Sequence, residues 1–276
     1  MLALSFLDVY HPGAMVNQKT LTAETVARVR SGVVAALSVA VAESDKASFE
    51  KIPKGRYSVV LAGPKGLQRY LNFHHGRVQE RENKGLGSVI LRFPSFQDMA
   101  TKLGGGSGTL IPIPLSPSFL KAAQAFQTLS SRGGELCARR EFSTEEEQRQ
   151  TLDMLMTAAL RGVAETAMID SWTAAKSASM SHGIVQVQTQ NGSVQGWLKR
   201  DGKVFSSGRG AAPAPANARL CFSDESVGLG VFTGTLPALK ALGRGHVSIR
   251  GRVPMIQALF PLLDRFGQIM AWNKES

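Results

Sequence analysis

Hydrophobic and polar positions change period several times along this 276-residue chain, and each change marks an element. Residues 22–45 are dense in Ala and Val, and their small side chains predict a helix that packs closely against another element. The pattern then shortens. Residues 57–62 and 67–71 read as strands joined by the turn Gly63-Pro64-Lys65-Gly66, with further strands at Arg77–Glu80 and Val89–Phe93. Phe96–Leu103 fits a short helix that glycine ends. Leu110–Leu115 holds Pro112 and Pro114, and a proline cannot donate to a ladder, so this strand belongs at a sheet edge. Ser116 and Pro117 start a helix with Phe119, Leu120, Ala123, Phe126 and Leu129 at helical spacing. The first dozen residues, ending at His11-Pro12-Gly13, give a short strand or an arm.

The second half opens on Ser143-Thr144 followed by Glu145–Glu147, a capping-box signature, and Leu152 to Val163 mark one face of a long helix. Strands are expected at 183–189, 193–199 and 203–206, with Asn191-Gly192 as the first hairpin turn. Ala218–Phe222 is another strand. Ser223 caps a helix that Gly234 ends, and His246–Arg250 alternates with Val247 and Ile249 on one face. Met255, Ile256, Leu259, Leu262, Leu263, Phe266, Ile269 and Met270 form a final apolar stripe that Pro261 should kink.

The two halves list the same elements in the same order. The offset is 126 residues from Val78 to Val204, 129 from Val89 to Ala218, and 137 from Leu110 to Val247. A period this long points to duplicated domains, because solenoid repeats run roughly 20–50 residues. The expected domains are 1–140 and 141–276, each α+β.

Composition narrows the function. With 43% hydrophobic residues the chain can build real cores, and its net charge is +11. Residues 46–140 hold 15 Lys/Arg against 5 Asp/Glu, and residues 182–270 hold 10 against 4. A basic surface suits anionic membranes, acidic ligands or nucleic acid. Cys137 and Cys221 lack metal-ligand spacing and sit at non-equivalent points of the repeat, so both read as free thiols in a reducing compartment. No uninterrupted apolar run reaches the roughly 18–20 residues that span a bilayer. Arg28, Arg30 and the run Val33–Ala42 have the outline of a signal peptide, but Glu24 and the Ala/Val composition favour a buried helix.

Residues 202–270 carry a resemblance. Asp201-Gly202-Lys203-Val204, the junction Ala218-Arg-Leu-Cys-Phe-Ser-Asp-Glu225, Phe232-Thr-Gly234 and Gly245-His-Val-Ser-Ile-Arg-Gly251 stand in order before an apolar helix. Together they resemble the sterol carrier protein type-two family, the sterol-binding domain. Residues 57–130 resemble it more weakly, through the internal repeat. The first copy lacks the segment equivalent to Leu236–Leu242 and has Gly104–Gly108 in its place.

That resemblance implies two tandem domains, each a mixed twisted sheet covered by helices on one face. It also implies an apolar tunnel, between sheet and C-terminal helix, for a fatty acyl chain, acyl-CoA, sterol or phospholipid. Expected lining residues are Phe222, Leu229, Phe232, Met255, Leu259 and Phe266 in the second copy, and Phe93, Met99, Leu103, Phe119 and Phe126 in the first. Arg244, His246, Arg250 and Arg252 are the candidates for headgroup or membrane contact. The C-terminus Asn273–Ser276 is not a Ser-Lys-Leu address, which makes cytoplasm the expected compartment.

Rival chemistry is thin. Gly104–Gly108 has no Gly-Lys-Ser/Thr after it, His74-His75 has no third ligand nearby, and no Gly-x-Ser-x-Gly elbow occurs. The expectation is therefore a binding protein without catalysis, cofactor, metal or nucleic-acid partner. The competing reading is an interaction module, a degenerate pair whose grooves hold a partner protein in lipid or isoprenoid metabolism. Continuous apolar density in the tunnel would favour the carrier, and a filled cavity with an exposed apolar patch of roughly several hundred Å² the module.

Overall fold

Thr22 accepts a hydrogen bond from the Thr25 amide and so caps α1, Ala23–Ser44. Val26, Val29, Val33, Leu37 and Val41 are all fully buried, so this is a core helix rather than a one-sided surface helix. By length and mean hydropathy α1 is long and apolar enough to cross a membrane, and 78% of that stretch is buried inside the protein. This corrects the reading from apolar runs, because the Ala, Val and Leu of α1 keep its mean hydropathy high although Arg28, Arg30, Ser31 and Gly32 interrupt the run. The computed structural model describes residues 21–74, 77–81 and 88–272; the N-terminal arm and His75 fall outside them.

The chain divides into two compact units. One holds residues 21–136 with Trp272, the other residues 137–271. In the first, α1 is followed by α2 (Lys46–Glu50), β1 (Tyr57–Ala62), β2 (Gln68–His74) and β3 (Arg77–Arg81). Then come β4 (Val89–Arg92), α3 (Phe96–Leu103), β5 (Ile111–Pro114) and α4 (Phe119–Ala138). The sheet order is β3-β2-β1-β4-β5, with β1 and β4 parallel and the other pairs antiparallel. The prolines place β5 at the edge, where Pro112 pairs with Leu91 and Pro114 with Val89.

The second unit contains α5 (Glu145–Ile169), α6 (Ser171–Ser177), β6 (Gly183–Thr189), β7 (Gln195–Asp201) and β8 (Val204–Arg209). It continues with β9 (Ala218–Phe222), α7 (Glu225–Phe232), α8 (Ala238–Gly243), β10 (Val247–Gly251) and α9 (Val253–Met270). Its sheet runs β8-β7-β6-β9-β10, and β6 and β9 are the parallel pair. Strand order and the parallel pair thus match the first unit strand for strand. The class is α+β, with two five-stranded mixed sheets.

Local chemistry sets the helix ends. The Thr144 hydroxyl accepts from the Glu147 amide while the Glu147 carboxylate accepts from the Ser143 amide, 2.7 Å away. The cap of α7 is Asp224 rather than Ser223, one residue later than the sequence pattern placed it. Among the helices, α2, α6 and α8 went unpredicted, because each is a turn or two long and shows no full amphipathic period. α9 runs through Pro261 as one helix.

In the second unit α5 packs on β7 and β8, and α9 packs on β9 and β10. The two helices meet where Gly162 of α5 faces Phe266 of α9. A β-carbon at Gly162 would stand 2.0 Å from the Phe266 ring, so only glycine lets the helices approach this closely. Gly162→Ala is accordingly expected to cost about 1–3 kcal/mol through overpacking. Thermal unfolding followed by Trp172 and Trp197 fluorescence checks this, and an unchanged midpoint would contradict the packing.

Candidate functional site

α8 is the element that the second unit has and the first does not, and its sequence explains its exposure. Leu239 and Leu242 lie three residues apart on one face of a helix too short to bury them. Leu239 is 79% exposed and Leu242 37%, and Val253, which opens α9, is 43% exposed. Large apolar side chains this open are uncommon on a folded surface when they cluster, and clustering marks a contact face.

Beneath α8 lies a small apolar cavity. Leu220 and Phe222 of β9, Val231 of α7, Leu239 and Leu242 of α8, Val247 and Ile249 of β10, and Phe260 of α9 surround it. The place is the one expected for a tunnel, between the sheet and the last helix. Its volume, about 10 Å³, is room for roughly one water and not for an alkyl chain.

The chain that forms this face is basic, and Asp224 stands at its margin, one residue after Ser223, whose amide donates to the His246 carbonyl. From Ser226 to Leu263 the chain has no Asp or Glu, but it has Lys240, Arg244, Arg250 and Arg252, with His246 among them. All five are exposed. Arg244 is the C-cap of α8 and so flanks the exposed leucines, while Arg252 is the N-cap of α9 and stands beside Val253. His246, Ser248 and Arg250 lie on the solvent side of β10, and Val247 and Ile249 point into the cavity. The nearest acid along α9 is Asp264, eleven residues from Val253 and therefore about 16 Å up the helix.

Gly251 fixes how β10 turns into α9. Its φ of +81° lies in the left-handed region, and a β-carbon there would sit 2.3 Å from the Asn217 carbonyl oxygen.

The remaining expected lining residues fall into several groups. Phe222 lines the cavity and meets Phe232 edge-on at 5.8 Å. Leu229 and Phe232 are buried on α7, which packs against α5. Met255 and Leu259 are buried on α9, and Phe266 is taken up by Gly162. In the first unit Phe93, Met99, Leu103 and Phe126 are buried, with Phe119 half-buried at the start of α4. Met99 and Leu103 belong to α3, which packs on α1.

Only Phe222 among these residues borders the cavity under α8. Leu239, Leu242, Val253 and Phe260 were not singled out from the sequence. The 38-residue span without an acid was the signal that pointed to them.

Buried ionic groups serve the fold. Arg30 donates 2.6 Å to the Ala100 carbonyl near the end of α3, and burial lowers its guanidinium to about 10, leaving it charged at neutral pH. Arg265 forks onto Asp170 with bonds of 3.2 and 2.9 Å, reaches Gln268 at 3.1 Å and lies over the Trp172 ring. Cys137 is fully buried, which pushes its thiol up and leaves it poorly nucleophilic. Among the described residues no group of three His, Cys, Asp or Glu is placed to hold a metal.

No protein family and no curated protein sequence matches the chain. Among solved structures it is similar to a UbiJ-SCP2 ubiquinone synthesis protein, with 12% identity, 38% of this chain, 92% of that one and a TM-score of 0.29. It is similar to sterol carrier protein 2 from Yarrowia lipolytica, with 14% identity, 37% of this chain, 92% of that one and a TM-score of 0.29. It is also similar to the sec-alkylsulfatase Pisa1 from Pseudomonas sp., at 14% identity and a TM-score of 0.30. That match covers 61% of this chain and 24% of the alkylsulfatase. Likeness at these levels assigns neither a family nor an activity.

Proposed function

We propose that the second unit is a lipid-binding module that docks on an anionic lipid surface through α8, β10 and the start of α9. The observation behind this reading is the pair of exposed leucines, Leu239 and Leu242, in a stretch of chain from Ser226 to Leu263 with four Lys/Arg and no acid. Headgroup phosphates meet Lys240, Arg244, Arg250 and Arg252, each adding about 1 kcal/mol of attraction near a charged bilayer. The leucines enter the acyl region, where each buried side chain contributes about 1.5–3 kcal/mol. Taking up a single chain behind α8 requires α8 to move, since the cavity holds about one water as it stands. The role is non-catalytic binding or transfer, and the matching strand orders of the two units are read as a tandem duplication.

A second reading has one observation in its favour. A nearly filled cavity beside an exposed apolar patch also suits an interaction module whose partner is an acidic protein surface. Vesicle cosedimentation separates the two. Binding to phosphatidylserine-containing vesicles that weakens with salt, and little binding to phosphatidylcholine alone, is expected. Extraction mass spectrometry of the purified protein is expected to find phospholipid. No lipid in the extract together with equal indifference to both vesicle types would remove the lipid reading and leave the protein partner.

A further inference from the structure

A separate cleft lies wholly within the first unit, where α2 and the segment leading into β1 meet the end of the β2–β3 hairpin. Its volume is about 700 Å³, a size that accepts a small organic molecule. The floor is apolar and aromatic. Tyr57 and Phe73 stack there with centroids 4.9 Å apart and planes 23° from parallel, and Ile52 lies beside them. The Tyr57 hydroxyl donates to the Pro53 carbonyl at 2.5 Å, which ties the incoming segment to the sheet. Burial pushes that phenol up to about 12, so it remains a neutral donor at any physiological pH.

The rim has the opposite character. Lys54, Arg56 and Arg77 line the cleft, all exposed, and none has an acidic partner among the described residues. Glu50 is the lone carboxylate among the lining residues, and it is exposed to solvent with Lys46 3.9 Å away. Surface cations scattered over a protein imply nothing, but three at the mouth of one concave apolar site focus their field into it. The first unit's sheet supplies the floor and the connection after α2 supplies the basic rim.

From this juxtaposition we infer that the first unit binds an amphipathic anion. Its carboxylate or phosphate sits between Arg56 and Arg77, and its apolar body lies over Phe49, Ile52 and Pro53, with the Tyr57–Phe73 stack beneath them. This site shares no residue with the α8 face and stands or falls independently of it.

The test uses the full chain with labelled isoleucine methyl groups and titrates decanoate, decyl phosphate, 1-decanol and inorganic phosphate. Decanoate and decyl phosphate are expected to shift the Ile52 methyl resonance saturably, and whichever binds more tightly identifies the head group. Decanol and inorganic phosphate, each with half of the required chemistry, are expected to bind at least about tenfold more weakly. Arg56→Glu/Arg77→Glu, a change at two exposed positions, should abolish the Ile52 shift, while Leu239→Asp should leave it intact. Decanoate binding that survives the double charge reversal would overturn the inference. So would a response at Ile249 without one at Ile52, an outcome that still leaves the second unit as a lipid-binding module.

Discussion

Arg265→Met is expected to destabilise the second unit by about 3–5 kcal/mol, the usual cost of leaving one member of a buried ion pair without its partner. Arg265 is 1% exposed and Asp170 4%, so neither can recruit water when the other is removed. The pair also joins α6 to α9. Asp170 caps α6 by accepting from the Thr173 amide, Arg265 comes from α9, and Trp172 lies under the guanidinium. Thermal unfolding should show a midpoint lower by roughly 10–20 °C. A double change, Asp170→Leu with Arg265→Met, should recover part of that, since an apolar pair avoids the stranded charge. A single Arg265→Met within about 1 kcal/mol of the parent would show that the pair does not hold the unit together.

The same carboxylate gives a pH dependence. Burial acts to raise the Asp170 pKa, but hydrogen bonds from Arg265 and Thr173 outweigh it and hold the group below the usual carboxylate range. A folded-state value below the unfolded one means the contribution is complete above about pH 4 and is lost as pH falls through the folded value. The parent's midpoint should therefore drop below about pH 4, and Asp170→Asn should be destabilised already at neutral pH with a flatter acid limb.

The second large effect is functional. Leu239→Asp/Leu242→Asp should reduce affinity for phosphatidylserine-containing vesicles by at least about 100-fold. Two leucines each contribute about 1.5–3 kcal/mol on leaving water, and the substitution also brings two negative charges to an anionic surface. Leu239 is 79% exposed, so Leu239→Asp alone should leave the midpoint of unfolding in place and assign its share of the loss to docking, whereas Leu242 also borders the cavity. Lys240→Glu/Arg244→Glu should weaken binding and reduce its salt dependence, because fewer lipid charges are then neutralised. Unchanged vesicle affinity in the leucine variant would move the docking face away from α8.

Several features of this protein were legible from residue patterns because their causes are local. The Thr144–Glu147 capping box, the prolines that confine Ile111–Pro114 to an edge and the Asn191-Gly192 turn all act over a few residues. The matching order of elements along the two halves was legible in the period of the pattern, while the shared strand order of the two sheets came from pairing. The surface basicity between Ser226 and Leu263 was also present in the chain as written.

What the pattern could not supply was which apolar residue is core and which is presented to solvent. Leu239 and Leu259 are the same residue type in helical segments of one unit, yet one is 79% exposed and the other 1%. The difference arises because α9 packs along β9 and β10, whereas α8 has only the edge of the unit to pack on. Likewise Phe266, expected to line a tunnel, is taken up by the gap that Gly162 leaves on another helix 104 positions away in the chain. The cleft between Ile52 and Arg77 gathers residues from α2, a connection and three strands, so no spacing in the sequence announces it. Local chemistry fixes caps and turns. Burial and cavities depend on which faces meet, and that was decided only when the sheets and helices packed.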